Sequence, residues 1–156
     1  MSVSSPVPFA TTLLVRDTCL CLHLQRGARA LARRFDQALA PVGLSNGQFS
    51  LLMALNRPEP PSIAPVAELL AMDRTTLTAA LKPLERRGLI EITPDAKDRR
   101  ARRLALTAAG RALLAEAVPI WTATHAAVEA EHPAIDLDRL RADLVALGLG
   151  QDAAAG

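Results

Sequence analysis

Apolar residues at Leu20, Leu24, Ala28, Leu31, Phe35 and Ala38 recur at steps of 4, 4, 3, 4 and 3. That spacing predicts one face of a long helix over residues 17–39, ended by Pro41 and Gly43. Ser45, with Gln48 three residues on, reads as a capping box that opens a second helix through Phe49 and Leu55. Pro58, Pro60 and Pro61 stop it. A short third helix starts near Ser62 with Val66, Leu69 and Leu70 apolar, and breaks at Ala71, Met72 and Asp73. Asp73 is placed to cap a fourth helix whose buried stripe is Leu77, Leu81 and Leu84, closed by Gly88.

Period-two alternation appears only twice, at 89–93 and 103–107, on either side of a charged loop at 94–101, which predicts a hairpin. Thr107 then caps a long helix carrying Leu114, Val118, Trp121, His125 and Val128, in which Pro119 is expected to make a kink or a restart. Pro133 ends it, a last helix uses Leu137, Leu140, Leu144 and Leu147, and the tail 148–156 is expected to fray. The fold class is therefore mainly α with one small β-hairpin. Two short helices across a tight break, followed by a hairpin, are the layout of a winged helix-turn-helix. The flanking helices hold more apolar surface than that module can bury, so they are expected to pair with a second copy about a twofold axis. The division is 1–44 and 111–156 as a helical dimerisation region around a reading unit at 45–110, in one intertwined domain.

Composition narrows the function classes. Half of the 156 residues are hydrophobic, which excludes wholesale disorder, and no apolar run reaches the roughly 18 residues of a membrane span. The opening residues lack a basic stretch before their apolar part, so a secretory signal is not expected, and Cys19 and Cys21 are too close for a disulfide framework. Both point to the cytoplasm. Phe9, Phe35, Phe49 and Trp121 are the aromatic residues, with no tyrosine, too few for a base-stacking single-strand platform.

A net charge of +2 does not suggest a nucleic-acid partner, but its distribution does. Residues 73–103 hold nine basic and five acidic side chains, a net of +4, and residues from 126 onward hold six acids and two arginines, a net of −4. The fourth helix begins Arg74, Thr75, Thr76, Leu77, Thr78. Hydroxyls at a helix N-terminus suit phosphates and base edges, and arginine can grip guanine through two bonds. The same threonines could instead serve only as caps. The hairpin tip contributes Asp98, Arg99, Arg100 and Arg102, a density of guanidinium that fits a narrow minor groove.

These segments resemble the MarR family of bacterial transcription regulators over roughly 20–147. The resemblance is carried by Asp73 to Thr78, then Leu84 to Ile90, then Asp98 to Arg100, then Leu106 to Gly110, in that order and spacing. It implies a dimeric winged-helix protein that usually represses genes and releases a near-palindromic double-stranded operator on binding a small molecule. It implies that Arg100 enters the minor groove, that Asp98 holds a wing arginine, and that Thr75, Thr76 and Thr78 meet the major groove. Ala79 and Pro83 stand where the family often has arginine, and Lys82 is a substitute phosphate contact.

Cys21 matches in position the reactive cysteine of the branch of this family that senses organic hydroperoxides. In that branch tyrosines support the cysteine; here Phe35 and Asn46 occupy those places. Inert packing, oxidation sensing and ligand contact all stand as readings of Cys21. Cys19 and His23, four apart, could share a helix face, but without a third ligand no metal site is assigned. Cys19, Cys21, His23, Arg26, Phe49, Trp121 and His125 are the candidate lining of an effector site for a small, aromatic or aromatic-acid molecule. Arg26, Arg29, Arg33 and Arg34 fall off the stripe of their helix and read as a solvated face. No nucleophile elbow, phosphate loop or complete metal motif is present, so neither an enzyme nor a cofactor is expected. The competing classes are a thiol peroxidase or hydrolase using Cys21, and a helical module that binds acidic protein.

Overall fold

The computed structural model describes residues 6–149, so positions 150–156 of the expected frayed tail and 1–5 of the opening segment lie outside the described residues, while 148–149 continue the last helix instead of fraying. The order is α1 (Phe9–Thr18), α2 (Leu20–Leu39), a 3-10 turn (Ala40–Val42), α3 (Asn46–Leu55), α4 (Ile63–Leu69), α5 (Arg74–Arg86), β1 (Ile90–Pro94), β2 (Arg102–Leu106), α6 (Ala108–Glu131) and α7 (Leu137–Leu149). This is the mainly helical, single-hairpin architecture that the patterning predicts. No single described helix is long and apolar enough to cross a membrane.

Two expectations need correction. The first helix does not run unbroken from residue 17: a separate α1 precedes it, and Cys19 between them is extended at φ −71° and ψ 108°. The Cys19 sulfur accepts the Leu22 N–H at 3.5 Å and so caps α2. The second concerns Pro119, which does not restart its helix. α6 runs unbroken through it for 24 residues, because its partners on α2 and α3 outweigh one missing backbone hydrogen bond.

The core lies under the helix-turn-helix. Leu39, Leu52, Val66, Leu77, Leu81, Leu84 and Leu104 are fully buried, each stabilising by roughly 1.5–3 kcal/mol on area grounds. Ser45 and Gln48 form the expected capping box at α3, and Asp73 and Thr107 cap α5 and α6. β1 and β2 pair antiparallel, with Ile90 opposite Leu106 and Ile92 opposite Leu104. One isolated bridge joins Ser62 to Arg103, so the start of α4 is tied to the hairpin.

Gly88 ends α5 in the left-handed region at φ 69°, turning the chain so that the Leu89 N–H reaches the Leu84 carbonyl at 3.0 Å. The start of α6 then seats on this corner. Thr107 donates its hydroxyl to the Gly88 carbonyl at 2.7 Å and its N–H to the Leu89 carbonyl at 3.1 Å. Gly110 lies so close that a Cβ there would stand 2.0 Å from the Leu89 carbonyl oxygen.

The outlying helices are different. Phe9 and Leu14 on α1, Leu20, Leu24 and Leu31 on α2, and Leu140, Leu144 and Leu147 on α7 are all exposed. Of the stripe that makes α2 a helix only Phe35 is thus buried, with Leu39 beside it.

Gly110→Ala is expected to lower stability by about 1–3 kcal/mol in denaturant unfolding, since backbone and not a flexible side chain must give way. Ala71, at the helix-turn-helix break, holds φ 50° without being glycine. Ala71→Gly is therefore expected to hold or raise the unfolding midpoint, because relief of left-handed strain offsets the added chain entropy. A loss of about 1 kcal/mol, as glycine costs inside a helix, is the contrary outcome.

Candidate nucleic-acid interface and effector groove

The wing is organised by a carboxylate. Asp95, only 7% exposed, follows Pro94 at the end of β1 and turns the chain. Its Oδ1 accepts the N–H groups of Lys97 at 2.6 Å and Asp98 at 3.0 Å, an Asx turn. Its Oδ2 accepts Nε–H of Arg103 in an ion pair. The Asp98 and Lys97 N–H groups, with the Arg103 guanidinium, hold the Asp95 carboxyl well below its ordinary range, at about 2. Arg103 also donates to the Pro60 carbonyl at 3.0 Å, which locks the wing base to the loop before α4.

Asp98 has a different task from the one the family pattern implied. Its carboxylate accepts the backbone N–H of Arg100 at 3.0 Å, while the wing guanidinium held by an acid is that of Arg103, on Asp95. Arg99, Arg100 and Arg102 are exposed, and their guanidinium groups have no acidic partner among the described residues. Asp95 was not singled out as a site residue from sequence. A Pro-Asp pair leaving a strand was the available signal.

In the first turn of α5, Asp73 accepts the N–H of Thr76 at 2.8 Å and its hydroxyl at 2.6 Å. The Thr76 hydroxyl, then its N–H, lowers the Asp73 pKa. The Thr78 hydroxyl donates to the Arg74 carbonyl at 2.7 Å. Arg74, Thr75, Thr76, Thr78 and Lys82 all lie exposed on α5, which continues through Pro83. Between α4, α5 and the wing runs a groove of about 330 Å³, and its lining includes Arg74, Thr78, Arg100, Arg102 and Ser62. α5 and the wing therefore present their cations to one shared surface. Ser62 was not singled out as a site residue from sequence.

The candidate effector residues divide into two places. Phe49 on α3 and Trp121 on α6 stack with ring centroids 6.1 Å apart, and His125 stacks on Trp121 at 4.8 Å. Phe49 and Trp121 line a groove of about 410 Å³ with Met53, Leu69, Val118 and Thr122. No charged side chain lines it, and its walls come from α3, α4 and α6. His125 Nδ1 lies 3.6 Å from Glu129.

Cys19, Cys21, His23 and Arg26 are elsewhere, at the outer end of α2. His23 and Arg26 line a separate basic groove with Arg29 and Arg33. His23 Nδ1 lies 2.8 Å from the Cys19 carbonyl oxygen, and the Cys19 sulfur is engaged as a helix cap. Exposed Cys21 accepts from Gln25 Nε2 at 3.1 Å. Among the described residues no three histidines, cysteines or carboxylates gather to hold a metal.

Comparison with known proteins adds context. The profile of the MarR family matches residues 42–101. The organic hydroperoxide resistance transcriptional regulator of Bacillus subtilis is 30% identical over 101 residues, 65% of this chain and 69% of that protein. The transcriptional activatory protein BadR of Rhodopseudomonas palustris is 33% identical over 95 residues, 59% of this chain and 54% of that protein. The chain spans about half the length of the first curated relatives that it matches. Among solved structures, the M. tuberculosis regulator MosR in complex with DNA is 38% identical with a TM-score of 0.78, covering 87% of this chain and 98% of that one. CouR of Rhodococcus jostii bound to p-coumaroyl-CoA is 25% identical with a TM-score of 0.70, covering 85% and 93%.

The depressed Asp95 pKa fixes a pH dependence. Its support of the wing is fully present above the ordinary value of 3.8 and is lost as pH falls through about 2. NMR protection factors of the Lys97 and Asp98 amides are expected to be flat from neutral pH down to about pH 4 and to drop below it. Asp95→Asn should lower them at every pH, and unchanged protection in that variant removes Asp95 from its supporting role.

Proposed function

The chain belongs to the MarR family, and from that premise we propose that it is a homodimeric, sequence-specific regulator of transcription. It binds a near-palindromic double-stranded operator in the cytoplasm, as a repressor that a small aromatic molecule releases. The observation that carries this reading is the convergence of Arg74 on α5 with Arg100 and Arg102 on the wing, none with an acidic partner among the described residues. The regulator MosR, of like fold over nearly its whole length, was solved with DNA. Residues 45–110 are the reading unit. Residues 1–44 and 111–156 form the dimerisation region, supported by the exposed leucines of α1, α2 and α7. Such faces need a second copy to cover them.

The effector reading rests on the groove beside Trp121. An aromatic ring fits between stacked Phe49 and Trp121 and the flexible Met53. The groove lining holds hydroxyls and no charge, so it recognises the ring, and an acid group on such a ligand must lie outside it. Leu69 ties the groove to α4, which leads through the Ala71 turn into α5. Occupation shifts α4 against α6 and carries the recognition helix with it. The relative CouR binds p-coumaroyl-CoA, an aromatic acyl group.

A second reading is favoured by the exposure of Cys21 and its hydrogen bond from Gln25. Attack of its thiolate on a hydroperoxide gives a sulfenic acid and an alcohol, and that oxidation would be the releasing signal. The Bacillus subtilis relative is named for organic hydroperoxide resistance. The absence of tyrosine weighs against this reading. A peroxidase using Cys21 ranks below both.

Duplexes selected from a random pool are expected to show two half-sites about one helical turn apart, with affinity falling steeply as salt is added. Arg100→Ala should weaken binding about tenfold, roughly 1.4 kcal/mol, with an unchanged circular dichroism spectrum. Full affinity in that variant sinks the wing assignment. Repeating the selection with aromatic compounds and with hydroperoxides separates the two signals. Release by aromatics that is lost in Trp121→Ala supports the groove. Stoichiometric release by peroxide that is lost in Cys21→Ser supports the thiol.

A further inference from the structure

We propose that the groove between α4, α5 and the wing holds a DNA backbone phosphate, and that Arg74 is committed to it, leaving Thr75 as the base-reading residue of the first turn of α5. This rests on the DNA-binding reading and divides its residues differently from the sequence pattern, which gave Arg74 to guanine.

Three guanidiniums, from Arg74, Arg100 and Arg102, reach one groove of about 330 Å³ whose lining has no carboxylate. A phosphate with its spread of oxygen acceptors suits several planar guanidinium forks at once. Ser62 completes the wall. It stands at the N-cap position of α4 without making a side-chain capping bond, so its hydroxyl remains available. The bridge from Ser62 to Arg103 sets its place relative to the wing. On the far side of the hairpin Arg103 faces a carboxylate, Asp95, and is neutralised. On the α5 side of the wing, Arg100 and Arg102 have no such neutralising acid among the described residues.

The first turn of α5 sorts its hydroxyls in a complementary way. Thr76 donates to Asp73, and Thr78 donates to the Arg74 carbonyl. Thr75 is exposed and its hydroxyl has no such commitment within the described residues. A free hydroxyl can pair with a base edge, and the neighbouring methyl can pack on that of thymine. Arg74 then positions the helix, as phosphate contacts do, and Thr75 specifies.

The test uses the full chain and duplexes chosen by the wild-type protein, read as dissociation constants against salt and as base preference by position. Arg74→Ala is expected to weaken binding about tenfold on every duplex alike and to reduce the logarithmic salt slope by about 0.9, the value of one phosphate. Ser62→Ala should weaken binding a few-fold, again without changing preference. Thr75→Val should leave the salt slope unchanged and alter preference at one or two positions by at least fivefold. Relaxed preference at a guanine in Arg74→Ala with an unchanged slope overturns the assignment, as does an unaltered profile in Thr75→Val. If the wild-type chain binds no duplex in a salt-dependent way, the DNA-binding reading fails with it. If it binds and only the Arg74 or Thr75 results differ, the broader reading stands and this division falls.

Discussion

The surface shared by α5 and the wing depends on one nearly buried carboxylate. Asp95 closes the wing by accepting two of its backbone N–H groups, and through Arg103 it fastens the hairpin to the loop before α4. Without it a tip carrying Arg99, Arg100 and Arg102 would be a self-repelling loop, extended by its own charge. With it, one acid neutralises the one arginine that must be immobile and leaves the others uncompensated. Charge-assisted bonds to a carboxylate are the stronger sort, and three of them converge here. The wing is thus stiff at its base and cationic at its edge.

The second constraint is steric. The start of α6 seats on the Gly88–Leu89 corner, where Gly110 leaves no room for a methyl group and Thr107 bonds both carbonyls. That corner is also the end of α5. Motion of α6 at its N-terminal end therefore passes directly into recognition helix and wing, with no soft loop between. Twenty-four residues at about 1.5 Å rise make α6 a strut of about 36 Å, reaching from the wing base to the Glu131 ion pair with Arg34 on α2. Trp121 sits midway along it, where the apolar groove opens.

How much of this was legible in the chain follows from which physics acts locally. The capping box at Ser45, the Asp73 and Thr107 caps, the Leu77, Leu81 and Leu84 stripe and the hairpin are set by residues within a few positions of one another, and they read correctly. The break at Cys19 did not, because the apolar residues of α1 are exposed within the chain and carry no clear stripe toward a core. At Pro119 the local rule allows a kink or a restart, and no restart occurs because α6 packs on α2 and α3. The effector candidates were chosen by residue type, so Phe49 and Trp121 were found together, yet Cys21 and Arg26 proved to belong to another surface. Met53 and Leu69 were not singled out, since nothing in their sequence distinguishes a groove wall from a core. Asp95 was counted as charge and not as structure because its partner Arg103 lies eight residues on, across the hairpin.

The charge distribution gains a mechanical sense from this arrangement. The cations of α5 and the wing stand at one end of α6, and the acids of its far end and of α7 stand at the other, where Glu131 holds Arg34 and Glu129 holds Arg141. A polyanion approaching the molecule is drawn to the end where α5 and the wing carry uncompensated arginines, which orients the encounter before any specific contact forms. Ion pairs at the outer end, all partly exposed, contribute little to stability singly. Their role is better understood as placement: they hold α2 and α7 beside α6, so that the exposed leucines of both helices are displayed together. The same ion pairs thus help to set the apolar surface that a second copy would cover.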